Sequence, residues 1–112
     1  MRRLLLCLLL LAASGVTAAA SAEPEFVIRI QGHRFEPAEL HVPEGKKVRI
    51  TLENLDDTPE EFDSHALNRE KHVSGKGRAT LYIGPLEPGR YLFEGESVDA
   101  PGGAALGVIV VP

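Results

Sequence analysis

Lys47-Val48-Arg49-Ile50-Thr51-Leu52-Glu53-Asn54 is the stretch that decides the fold. Val48, Ile50 and Leu52 fall on one side, and Lys47, Arg49, Thr51 and Glu53 fall on the other. That period of two is the mark of an extended strand with one buried face. Working outward, the alternation recurs. Phe26, Ile28 and Ile30 oppose Glu25, Val27, Arg29 and Gln31. Ala38, Leu40 and Val42 oppose Glu39 and His41, and Ala79, Leu81 and Ile83 oppose Arg78, Thr80 and Tyr82. Tyr91 and Phe93 share one side of a further strand. Leu106 to Val111 is a nearly continuous apolar run, as in a strand covered on both faces.

Turn chemistry separates these runs: Pro43-Glu44-Gly45, Gly75-Lys76-Gly77, Gly84 to Gly89, and Pro101-Gly102-Gly103. No segment carries a helix-length apolar period. Six or seven short strands at this spacing predict an all-β, antiparallel β-sandwich in one domain.

The first 22 residues read differently. A basic Met1-Arg2-Arg3 start, an uncharged run from Leu4 to Val16 and the small residues Ala20-Ser21-Ala22 predict a secretion signal cleaved near Ala22. The apolar run is too short to span a bilayer, so no stable membrane insertion of the mature chain is expected. The domain is then residues 23–112, exported and, in a bacterium, periplasmic. Loss of Arg2 and Arg3 takes the formal charge from −4 to about −6, which argues against nucleic acid as a partner. Cys7 and Met1 are the only sulfur residues, and both lie in the leader. Disulfides, zinc–thiolate sites, iron–sulfur clusters and cysteine nucleophiles are excluded from residues 23–112.

Asn54 to His72 breaks the alternation. It is crowded with charge, and its length suggests a crossing between sheets or an excursion over one end, with a helical turn near Ala66 to Lys71. Excursions of this kind are where function concentrates. The charge run also has the plain reading of a solvated loop.

Several strings together resemble the cupredoxin-like superfamily: Phe35-Glu36-Pro37-Ala38-Glu39-Leu40, Val42-Pro43-Glu44-Gly45-Lys46, Leu52-Glu53-Asn54, Pro88-Gly89-Arg90-Tyr91-Leu92-Phe93 and Gly107-Val108-Ile109-Val110-Val111. The resemblance implies a Greek-key sandwich. Thr58-Pro59-Glu60-Glu61-Phe62-Asp63-Ser64 with Leu67-Asn68-Arg69-Glu70-Lys71 is similar to the periplasmic cupredoxin-like component of bacterial ferrous-iron uptake systems, the EfeO cupredoxin domain and FtrB-type proteins. In relatives with cysteines, one aligns near Phe35 and another near Gly95, and Glu61 is the ligand position that persists. A blue-copper member carries a His after its Asn-bearing strand, then Cys, His and Met after its Tyr-x-Phe strand. Here Asn54 leads to Glu60 and Glu61, and Phe93 is followed by Glu94, Gly95, Glu96, Ser97, Val98 and Asp99. A copper–thiolate bond has no sulfur to form from, so blue-copper electron transfer is excluded.

What remains is oxygen and imidazole: Glu60, Glu61, Asp63, His65, Glu94, Glu96 and Asp99. Such donors suit an iron or copper ion in its harder states, manganese or zinc, but not copper(I). The superfamily plan brings the Asn54–His65 segment and the Glu94–Asp99 loop to one end of the sandwich. Parity sets a conflict: if Phe62 points inward, so do Glu60 and Ser64, while Glu61, Asp63 and His65 point out. Family matching favours Glu61, alternation favours Glu60, and a bulge would reconcile them. His33 beside Gly32 reads as a solvated turn residue, His41 as surface, and His72 as a partner for a carboxylate. Arg69, Glu70 and Lys71 read as ion pairing or docking.

Two functions compete. The first is a metal-binding accessory of iron uptake, holding or passing iron and assisting ferrous-iron oxidation, with an iron permease or periplasmic iron-binding protein as partner. The second is a metal-free interaction module that docks an iron-transport partner or permease. A hydrolase has no support: Ser64 and His65 are neighbours on a strand pattern that points them apart, and no nucleophile elbow or zincin motif is present.

Overall fold

The computed structural model describes residues 12–15, 23–97 and 105–112. The leader apart from residues 12–15, its cleavage site near Ala22, the Pro101-Gly102-Gly103 turn and Asp99 lie outside the described residues. Among the described residues nine strands form: β1 Glu25–Gln31, β2 Arg34–Glu36, β3 Glu39–His41, β4 Val48–Asn54, β5 Glu60–Ser64, β6 Arg69–Val73, β7 Arg78–Ile83, β8 Gly89–Glu96 and β9 Ala105–Val111. They make two sheets, in the orders β2-β1-β4-β7 and β3-β9-β8-β5-β6.

The all-β sandwich holds, and its sheets are mixed rather than purely antiparallel. β1 runs parallel to β4, with Phe26 opposite Ile50 and Ile28 opposite Leu52. β3 runs parallel to β9, with Leu40 opposite Ile109. Period two reports which face a residue takes, not the direction of its neighbour. Direction is set by connections that pass between sheets, as the chain does between β1–β2 and β3 and again between β3 and β4.

The alternating apolar residues meet between the sheets. Ile28, Ile30, Ile50, Leu52 and Ile83 come from one layer, and Phe62, Phe93 and Ile109 from the other, all buried. Each such side chain contributes roughly 1.5–3 kcal/mol by leaving water. Phe93 packs edge-on to Phe35 at 4.9 Å and stacks with Phe62 at 4.8 Å. Its ring also lies against Gly107 on β9, where an added Cβ would come within 2.1 Å of it. Glycine is required there by close approach.

Asn54 ties the two crossings between sheets together. Its side-chain amide donates to the carbonyls of Thr58 (2.8 Å) and Ser74 (3.2 Å), and its oxygen accepts the Asp56 N–H at 3.0 Å. The expected helical turn near Ala66 to Lys71 is instead the tip of a hairpin and the first half of β6. Ser64 Oγ accepts the Leu67 N–H at 3.1 Å and donates to the Leu92 carbonyl at 2.7 Å, and Asn68 takes a left-handed φ of 52°. β6 hides from pattern reading because it is an edge strand: Arg69 to His72 are exposed and only Val73 is buried. Arg69 reaches from this edge to the other sheet, where its Nε donates to the Tyr82 carbonyl at 2.9 Å.

Candidate functional site

The site follows from the parity of β5. Glu60, Phe62 and Ser64 are buried, while Glu61 and Asp63 are half-buried on the outer face. Residues 60–64 pair with β6, and residues 61–63 with β8, in unbroken register. No bulge reconciles the two predictions, so alternation decides that Glu60 faces in and Glu61 faces out.

On the inner side, the Glu60 side chain is 1% exposed and lies 3.4 Å from His33 Nδ1. Beside Gly32 in sequence His33 reads as solvated, and the structure half-buries it because of its turn. Gly32 (φ 60°) and His33 (φ 58°) form a two-residue hairpin turn, left-handed at both positions. The Asp56 carboxylate accepts both of its N–H groups, at 2.8 and 2.9 Å. Burial pushes the Glu60 carboxyl up, and the His33 ring opposes the shift. Burial also acts to raise Asp56, but the backbone N–H groups of His33 and Gly32 outweigh it and hold its carboxyl below the usual range. Sequence reasoning missed His33; the signal available was a two-residue Gly-His gap between strands.

The residues at this inner position do not fit a blue-copper ion. A Cβ built on Gly95 would lie 2.9 Å from Glu60 Oε1 and 2.9 Å from the Phe35 ring. The Phe35 ring and the Glu60 carboxylate fill the space a cysteine would need, and neither supplies a soft ligand.

On the outer side, the carboxylates form a grid. Glu61 stands opposite Glu96 on β8 and His72 on β6. Asp63 stands opposite Glu94 on β8 and Glu70 on β6. Oxygen atoms of Asp63, Glu94 and Glu96 lie within 4.8 Å of one another. Burial, then the carboxylates of Glu70, Glu96 and Asp63, push the Glu61 carboxyl above the usual range. Among the described residues, no Lys or Arg forms an ion pair with any of the five acids. Directly opposed like charges cost roughly 0.2–1 kcal/mol per pair. The grid is therefore held by the fold against its own repulsion.

The structure thus brings together Glu61, Asp63, Glu94 and Glu96 from the predicted set and adds Glu70 and His72. It separates Glu60, which faces inward, and His65, which is exposed in the β5–β6 turn. The two acidic segments do meet, Glu61 beside Glu96 and Asp63 beside Glu94, but these side chains stand on paired strands rather than loops and on an open face. Ser64 is buried and spends its hydroxyl on backbone groups, which leaves it no nucleophilic role. Chemically, clustered carboxylates with one imidazole offer hard oxygen donors to a cation arriving from solvent.

A family model described as a cupredoxin-like domain matches residues 4–111. The uncharacterized protein RP394 of Rickettsia prowazekii (strain Madrid E) is 42% identical over 72 residues, 64% of this chain and 58% of that protein. The chain therefore spans less than two thirds of that relative's length. Among solved structures, the metal-binding domain of the Cu(I)-exporting P-type ATPase CopA of Streptococcus pneumoniae D39, with Cu(I), superposes with a TM-score of 0.62. It shares 16% identity, over 79% of this chain and 84% of that one. The Cu-containing nitrite reductase of Thermus scotoductus SA-01 gives 0.61 at 23% identity, over 80% of this chain and 28% of that one. A reduced mutant of amicyanin gives 0.58 at 20% identity, over 81% and 85%. At these identities the structural likeness shows the fold alone. With a family model matched along nearly the whole chain and a two-sheet sandwich beneath it, this protein belongs to the family of cupredoxin-like domains.

Proposed function

We propose that this chain is an exported, periplasmic metal-binding accessory of iron uptake that holds a hard cation on the outer face of its second sheet. The observation that carries the reading is the cluster of Asp63, Glu94 and Glu96, whose oxygens lie within 4.8 Å of one another beside Glu61 and Glu70. Iron, or copper in its oxidised state, is the cation class these donors suit. Anionic oxygen gains more from a higher charge, so the site favours ferric over ferrous iron and lowers the cost of oxidation. Oxidation needs an electron acceptor, and with no sulfur in residues 23–112 to relay the electron, a bound copper ion or a partner protein would take it. Holding and handing over the ion to an iron permease or periplasmic iron-binding protein is the role that asks least of the chain.

Calorimetric titration of the signal-free protein with ferrous iron under anaerobic conditions, with ferric citrate and with copper(II) tests this. One saturable site is expected, weakened about tenfold or more in the Glu94→Gln, Glu96→Gln double variant. Equal binding by the variant, or none by the parent, overturns it.

A further inference from the structure

The apolar run of β9 predicts a strand covered on both faces, and the structure covers it except near its start: on the outer face Val108 is buried and Val110 half-buried, while Leu106 stands open. Leu106 is 72% exposed, and Leu92, one strand over on β8, is 68% exposed. Between them and the β5–β6 turn runs a groove of about 390 Å³, lined by Leu92, Leu106, Ala66, His65, Asp63 and Glu94. Glu94 is paired directly with Leu106, so the apolar strip and the acidic grid share a border. Beyond the strip, on the β3 side, charge is already answered: Arg90 pairs with Glu39 at 3.3 Å. The outer face therefore has three zones, an unanswered acidic one, an uncovered apolar one and a neutralised one.

We propose that this face is a docking surface for a basic amphipathic segment of another protein, with leucine-sized anchors over Leu92 and Leu106 and Lys or Arg over the Glu94 and Asp63 rows. Charge complementarity selects the occupant. A second copy laid face to face would set carboxylates on carboxylates or bury them against leucines, and both arrangements are costly. An anionic membrane is repelled by the same grid. A segment with apolar and cationic sides covers the strip and neutralises the grid at once, and buried apolar contact with a charged rim is how such surfaces gain affinity and register. The basic side of the segment would compete with a cation for Glu94 and Asp63, whereas Leu92 and Leu106 carry no ligand atom, so the leucine variant reads the docking surface separately from the metal reading.

The test uses the signal-free protein and a synthetic helical peptide with leucines on one side and lysines on the next. Amide chemical-shift mapping is expected to place the peptide on β5, β8 and β9. The Leu92→Ser, Leu106→Ser variant, with its thermal melt and metal titration unchanged, is expected to bind about tenfold more weakly. A Glu61→Lys, Glu94→Lys variant is expected to switch preference to a peptide carrying glutamate in place of lysine. Shifts on another face, equal binding by the leucine variant, or no preference for lysine over glutamate overturns the proposal. Self-association, or binding to neutral vesicles, that the leucine variant abolishes overturns it equally, by assigning the face to a second copy or a lipid surface.

Discussion

Glu60 and Glu61 are adjacent in the chain and live in different chemical worlds. Glu60 points between the sheets, where its charge meets His33 at 3.4 Å and the turn carrying that ring is held by Asp56. Glu61 points outward into a grid of five acids that no Lys or Arg of the described residues answers. The difference teaches how burial disciplines charge. Inside, an unpartnered carboxylate is too costly to keep, so the fold supplies a partner. Outside, water tolerates the repulsion, and the unanswered charge stays available to something that arrives later.

The comparison can be broken first at Phe62 and Asp63. Phe62→Ala on the inner side is expected to cost about 3–5 kcal/mol, since it empties the middle of the aromatic cluster. Asp63→Ala on the outer side is expected to leave stability unchanged or raise it slightly. Urea unfolding of the two variants reads the contrast, and a Phe62→Ala cost near zero would mean that the face assignment of β5 is wrong.

A second, smaller effect concerns Asp56. Asp56→Asn is expected to lose about 2 kcal/mol at neutral pH, because charge-assisted bonds to two backbone N–H groups become neutral ones. The folded carboxyl lies below its ordinary value of 3.8. Its contribution is therefore complete above that value and is lost as pH falls through the folded pKa. The melting temperatures of parent and variant should converge in that acid range; a gap that persists there contradicts the assignment.

The sign reverses at Glu60 and Glu61, whose folded carboxyls lie above the ordinary 4.5. Their native states hold the proton more tightly than the unfolded chain, so stability falls as pH rises from 4.5 through the folded pKa. Glu60→Gln and Glu61→Gln should each flatten that fall, Glu61→Gln by roughly 0.2–1 kcal/mol. Salt separates them. At 1 M the screening length is about 3 Å, so the part of the Glu61 effect owed to its acidic neighbours should vanish while the Glu60 effect persists. Melting curves at low and high salt decide it, and an equal salt response from both positions would erase the distinction drawn here.

Much of this was legible from residue order. Val48, Ile50 and Leu52 declared their face, and alternation through Phe62 placed Glu60 inside against the family expectation that favoured Glu61. Two things were not legible. Arg69-Glu70-Lys71-His72 has no apolar partner positions because an edge strand exposes nearly all its residues, so charge crowding hid a strand. His33 looked solvated because its reach to Glu60 depends on a left-handed turn fastened by Asp56, a residue 23 positions away. The run from Leu106 to Val111 reads as a strand covered on both faces, and Val108 is indeed buried; among the described residues of the run Leu106 alone stands open, which composition does not distinguish from its neighbours.

Arg69 bears on how copies of this protein behave in one another's company. β6 and β7 are the terminal strands of their sheets on the same flank of the sandwich, and rows of free amides and carbonyls there would invite a neighbour to add itself as one more strand. The guanidinium occupies the Tyr82 carbonyl and laces that flank shut. Crowding should therefore find one fewer thread on this side by which a molecule can be stitched to the next.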